Sequence, residues 1–200
     1  FSAGELFGKT LFQLEYDGLM KVTVNLNQKG KTLIDRLSLV IPLKARRARL
    51  MHVCGDGLRF NYGGVVPAGQ GIVWESKNAS RNLLLGTFIP YVWFGEERRG
   101  LCWFAENDRG WILDDRKSAL TMERSGETVA LKVHLINKPA TLTQPVQIVF
   151  GVMASPAKPM PENPPWQKTT FNGPSEYPVR VHGSSFYWNG QMYANFPHNR

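Results

Sequence analysis

Met20-Lys-Val-Thr-Val-Asn-Leu26 alternates without a break: Met20, Val22, Val24 and Leu26 fall on one side, Lys21, Thr23 and Asn25 on the other. Successive side chains of a strand point to opposite faces of a sheet, so this run predicts a strand with one buried and one wet face. The same period returns in Leu37, Leu39, Ile41, Leu43, in Val129, Leu131, Val133, Leu135, and in Val146, Ile148, Phe150, Val152. A shorter version runs through Phe12, Leu14 and Tyr16. Turn-forming groups separate these runs: Gln28-Lys29-Gly30, Gly55-Asp56-Gly57, Tyr62-Gly63-Gly64 and Arg124-Ser125-Gly126-Glu127. No window shows a helical period with a cap. The chain reads as all-β.

One-sided alternation is the pattern of antiparallel sheets. Roughly ten or more such strands cannot bury those faces in one layer, which predicts a two-sheet antiparallel β-sandwich. Pro42 removes a ladder donor from the third alternating run, so that strand is expected at an edge or with a bulge.

Two hundred residues with 42% apolar content suit one domain with a real core. No run of eighteen or more apolar residues is present, so no membrane span is expected. The N-terminus, Phe1-Ser2-Ala3-Gly4-Glu5, lacks a basic segment followed by an apolar one, and no initiator Met precedes it. The chain reads as a mature or excised fragment whose compartment was set by a segment outside it. The net charge of +8 raises nucleic acid as a partner. The basic residues are scattered, however, and Lys44, Arg46, Arg47 and Arg49, if on a strand, divide between its faces. No nucleic-acid partner is expected. Cys54 and Cys102 have no metal-ligand spacing; they either pair or sit as small apolar residues.

From Ser155 to Pro165 the chain carries five prolines and no alternation, the mark of an extended connector. An aromatic-rich polar tail follows. The expected organisation is a sandwich over residues 1–154 and a Pro-rich connector with irregular tail over 155–200. That tail either packs on the sandwich or leads into a catalytic domain outside this chain.

Aromatics concentrate between Phe88 and Trp111, where Gly95-Glu-Glu-Arg-Arg-Gly100 separates two apolar runs. This segment predicts a hairpin whose glycines supply positive φ at the turn, with Trp93 and Trp103 on neighbouring strands. Two readings stay open. The aromatics are core, as large rings usually are, or they form a sugar-stacking platform of Trp93, Trp103 and Trp111 rimmed by Glu106, Asp108 and Arg109. Glu106 and Asp108 sit two apart, and carboxyls about 5 Å apart would suit a retaining glycosidase. In a turn, though, Asp108 is expected to bond the backbone and Glu106 to pair with Arg109, so neither is assigned catalysis. Asp114-Asp115 lacks the ligand count for calcium. The histidines (His52, His134, His182 and His198) have no metal spacing, and no nucleophile elbow, phosphate loop or dinucleotide fingerprint occurs. No metal or cofactor is expected.

The stretch from Phe88-Ile-Pro-Tyr-Val-Trp-Phe-Gly through Arg99-Gly-Leu-Cys-Trp-Phe-Ala-Glu-Asn-Asp-Arg-Gly-Trp111 resembles the N-terminal β-sandwich domain of glycoside hydrolase family 123-like proteins, formerly a domain of unknown function. Leu37-Ser-Leu-Val-Ile-Pro-Leu43 and the segment from Ile148 to Pro161 leading to Trp166 agree with it, so that the resemblance covers most of residues 30–166. It implies a secreted or periplasmic bacterial protein with a catalytic (β/α) barrel on the C-terminal side. There an adjacent Asp-Glu pair assists attack by the 2-acetamido group of terminal β-N-acetylgalactosamine. This chain has no Asp-Glu or Glu-Asp dipeptide, so no catalytic residue carries over. The implied function is a non-catalytic accessory domain supporting the barrel; the alternative is a free-standing carbohydrate-binding module using exposed tryptophans.

Overall fold

The computed structural model describes residues 1–16, 18–55, 61–79 and 86–156. Its strands are β1 (Ser2–Ala3), β2 (Leu6–Leu14), β3 (Leu19–Gln28), β4 (Thr32–Ile34), β5 (Leu37–Lys44), β6 (Leu50–Cys54) and β7 (Asn61–Val65). They continue with β8 (Gly71–Glu75), β9 (Tyr91–Glu96), β10 (Arg99–Phe104), β11 (Leu120–Ser125), β12 (Thr128–Ile136), β13 (Ala140–Leu142) and β14 (Val146–Ser155). Helical structure among the described residues amounts to a 3-10 turn at Ala45–Arg47 and one helical turn, α1, at Ser76–Ala79. No helix there is long and apolar enough to cross a membrane.

An eight-stranded sheet has the order β1-β2-β3-β14-β10-β9-β6-β7, and a four-stranded sheet the order β5-β12-β11-β8; β13 and β4 form a small ribbon. All these strand pairings are antiparallel. The fold is an all-β sandwich. The alternating positions predicted for the core supply it from both layers: Val22, Leu26, Ile148 and Phe150 from the large sheet, Val129, Leu131, Val133 and Leu135 from the small one. Each fully buried aliphatic of this size stabilises the fold by about 1.5–3 kcal/mol relative to exposure.

Pro42 lies on β5, an edge strand of the small sheet, where a missing N–H costs no second ladder. The turns at Gly30 and Gly126 both use positive φ (65° and 55°). The hairpin between β9 and β10 departs from expectation. Its turn residues are Glu97 and Arg98, with Glu96 paired to Arg99, and neither Gly95 nor Gly100 has positive φ. These two glycines answer a different need, close approach of the opposite strand's backbone at Gly95 and of an indole ring at Gly100, described below.

The basic cluster is likewise not a strand split between faces. Ala45–Arg47 turns as a 3-10 helix, and the following Arg49 N–H donates to Gly95 O at 2.8 Å. Arg47 then pairs with Glu96 and Arg49 with Glu97, so the acidic hairpin turn neutralises part of the cluster. The last described strand ends at Ser155; from residue 157 the Pro-rich connector and the tail lie outside the described residues, as does most of the Gly55-Asp56-Gly57 turn.

Candidate functional site

The β9/β10 register sets Trp103 opposite Val92 and Trp93 opposite Cys102. The two indoles therefore lie on opposite faces of the large sheet and form no cross-strand pair. Trp103 points inward and has no exposed surface. It packs on Trp111 at a centroid distance of 6.0 Å, and Trp111 meets Phe88 edge-on at 5.2 Å. The buried Nε1 atoms of Trp103 and Trp111 find no hydrogen-bond acceptor among the described residues. Trp103 thus presents no face to a sugar, and half-buried Trp111 is committed to the same aromatic cluster.

Trp93 lies on the outer face, half-buried, with its ring across Gly100. A Cβ at Gly100 would stand 2.5 Å from Trp93 Cε2 and Cζ2, and one at Gly95 would meet Arg99 O at 2.4 Å and Gly100 Cα at 2.5 Å before the same ring at 2.9 Å. An aromatic laid over a neighbouring strand's glycine is a known way to cover bare backbone. The same device recurs one strand over. A Cβ on Gly151 of β14 would stand 2.3 Å from Cζ of Phe104, its register partner on β10.

Phe104 belongs to an outer-face groove of about 430 Å³, lined also by Leu19, Lys21, Glu106, Arg109 and Gln147. Three strands supply it, β3, β14 and β10, together with the turn after β10. That turn is held in place twice. Asn107 Oδ1 accepts the Arg109 N–H at 3.0 Å, and Asp108 O accepts the Trp111 N–H at 2.9 Å. Gly110, at φ 83°, sits so close to Gln147 O that a Cβ would lie 2.4 Å away. The side chain capping the turn is therefore that of Asn107 rather than Asp108, because an Asx-type bond reaches two residues on.

Glu106 and Arg109 reach the groove together but form no ion pair with each other; Asp108 is exposed and not part of the lining. Glu106 is the one carboxylate among the lining residues, so the groove holds no acid/base pair for glycosidic cleavage. What it does hold is an aromatic wall, two cations, one carboxylate and amides. Such a set can stack a polar ring and hydrogen-bond its substituents. Phe104, Lys21 and Gln147 were not among the residues expected here. Phe104 was accessible in principle, because its neighbour Trp103 points inward; Lys21 and Gln147 reach the groove only through strand pairing.

Two other clusters occupy outer faces. On the small sheet, His134 lies between two hydroxyls, with Nδ1 2.8 Å from Ser38 Oγ and Nε2 3.1 Å from Thr121 Oγ1. Burial and the nearby Arg36 and Lys132 push its pKa below the ordinary histidine range, partly opposed by Glu123. On the large sheet, Cys54 and Cys102 are free thiols on strands flanking β9. Two strand spacings, about 10 Å, separate their backbones, too far for a disulfide without rearrangement. Burial raises both thiols, and burial beside Cys102 pushes the Tyr91 phenol well up. These groups accordingly favour their neutral forms near neutral pH.

No protein-family model matches this chain, and neither does any curated protein.

Proposed function

We propose that this chain is a non-catalytic accessory β-sandwich of a larger, secreted or periplasmic glycoside hydrolase of the β-N-acetylgalactosaminidase kind, whose catalytic barrel lies elsewhere in the polypeptide. The observation that supports this reading is the commitment of Trp103 and Trp111 to the core. Trp103, fully buried against Trp111, makes the most distinctive segment a packing unit rather than a reactive site. The resemblance of residues 88–111 to such accessory domains points the same way.

The test is hydrolysis of an aryl β-N-acetylgalactosaminide. The isolated 200-residue chain is expected to show none, whereas the complete gene product is active. Deleting the sandwich from that product should lower the melting temperature of what remains. Turnover by the isolated chain would overturn the reading.

A second reading, carbohydrate binding by the sandwich itself, is favoured by the outer groove, where Phe104 is flanked by Lys21, Glu106 and Arg109. Here the stacking residue is Phe104 in place of the tryptophans first considered. A glycan array probed with the chain separates the two readings: a defined sugar bound at micromolar affinity supports the second, and no binding leaves the first alone.

A further inference from the structure

Among the described strands, β2 is paired on only one side for most of its length. β1 covers Leu6 and Phe7, and Phe1 closes the pairing with bonds of 3.0 and 3.1 Å to and from Gly8. Beyond Gly8, no described strand lies outside β2. The direction of the free backbone groups follows from two bonds. Gly8 turns its N–H and C=O outward to Phe1, whereas the Glu15 N–H turns inward to Leu19 O. Alternation then points the N–H and C=O of Thr10, Phe12 and Leu14 away from β3, to the side where no described strand lies. An uncovered edge of this kind is a template for another strand.

Its side chains fit that use. Leu11 is 46% exposed, Phe12 60%, Leu14 75% and Tyr16, just beyond the strand, 98%. Two other edges are blunted. β5 carries Pro42, and on β7 the Tyr62 hydroxyl donates to Val65 O at 2.7 Å. β2 carries no proline, and its one charged residue between Leu6 and Leu14 is Lys9.

We infer that β2 pairs antiparallel with β2 of a second copy of this chain about a twofold axis at Phe12, joining the two large sheets. The free stretch specifies that register. It is bounded by Gly8, where β1 stops, and by the turn at Tyr16, so its midpoint is Phe12. Centred there, Phe12 faces Phe12, Thr10 faces Leu14, and the outward-pointing groups of one copy meet those of the other. The intervening positions place Leu11 opposite Gln13 and Lys9 opposite Glu15. Both of these are non-hydrogen-bonded pairs, in which side chains come closest. Lys9 and Glu15 are both exposed and in no ion pair within the chain's described residues. Across the axis they form two opposite-charge pairs, as an isologous contact requires. A shift of the register by two residues towards Gly8 runs β1 into the partner's strand, and a shift by two the other way sets Glu15 opposite Leu11 and loses the charge match.

Sedimentation velocity on the 200-residue chain tests this. The unmodified protein is expected to dimerise in the micromolar range. Lys9→Glu and Glu15→Lys should each weaken the dimer about tenfold, because two contacts reverse sign by symmetry. The double variant should recover to within about threefold of the original. Thr10→Pro removes an outward N–H without touching the β2/β3 ladder and should abolish dimerisation while circular dichroism stays that of a folded sandwich. A chain that is monomeric at every concentration, as when another domain of a longer polypeptide takes this edge, overturns the inference. So does a dimer indifferent to these variants, or one that the double charge reversal does not restore.

Discussion

Phe104 and Gly151 are register partners across β10 and β14, and the far end of the phenyl ring occupies the space where a Cβ at 151 would stand, 2.3 Å from Cζ. The glycine is therefore part of the groove's construction. Gly151→Val is expected to lift the ring and cost about 1–3 kcal/mol, as overpacking does. Urea denaturation gives the loss in stability, and methyl and aromatic NMR shifts of the groove report the displaced ring. An unchanged midpoint and unchanged Phe104 resonances would contradict the packing described.

Among the described residues, Trp103 is the largest fully buried side chain. Trp103→Ala should cost about 3–5 kcal/mol, the usual range for removing a buried aromatic. Trp103→Phe should cost much less, since it keeps most of the ring and removes an indole N–H that finds no acceptor. Comparing the two denaturation midpoints checks this; equal losses would mean that the indole N–H is satisfied.

At the groove, stability and binding should separate. Arg109 is exposed, so Arg109→Ala is expected to leave stability within about 0.5 kcal/mol. If a sugar from the array binds here, Arg109→Ala and Phe104→Ala should each weaken it about tenfold or more by calorimetry. Trp93→Phe, on the other arm of the hairpin and outside the groove lining, should leave affinity unchanged. Loss of binding with Trp93→Phe and not with Phe104→Ala would move the site to Trp93.

His134 predicts a pH dependence. Burial first, then Arg36 and Lys132, hold its folded pKa below the ordinary value of 6.5. Near pH 6 the unfolded chain therefore binds more protons than the folded one, and stability falls as pH drops from about 6.5 towards the lower folded value. The groups facing the ring are Ser38, Thr121, Arg36, Lys132 and Glu123. Between pH 7.5 and 5.5 the melting temperature of His134→Gln should decline less than that of the unmodified chain. Parallel declines would show that His134 carries no such linkage.

Much of the sandwich was legible because strand alternation is a local signal. Val22, Leu26, Leu131, Val133, Ile148 and Phe150 are core residues at the predicted phase. Pro42 announced an edge strand. Less was legible in the candidate site. Trp93 and Trp103 differ by an even number of residues, but they sit on opposite arms of a two-residue turn. Their relative faces therefore depend on the pairing of Glu96 with Arg99. The hairpin glycines looked like turn residues because glycine serves both positive φ and close approach, and only the positions of the opposite strand's backbone and of the Trp93 ring distinguish the two. The cluster from Lys44 to Arg49 looked like a divided strand face because a 3-10 turn of three residues leaves no periodic trace.

By itself, the sequence determined that the chain is all-β, which positions face the core, and where several turns fall. These follow from backbone geometry, in which neighbouring side chains must diverge and apolar ones must find a common face. It also established that no adjacent Asp-Glu pair is present in this chain. Only the tertiary structure decided that β14 inserts between β3 and β10, setting Gly151 beneath Phe104 and bringing Lys21 and Gln147 beside Glu106 and Arg109. Only the tertiary structure left the outer side of β2 without a described partner beyond Gly8. Strand partners are chosen by long-range packing and hydrogen bonding between segments more than a hundred residues apart, and no local pattern records that choice.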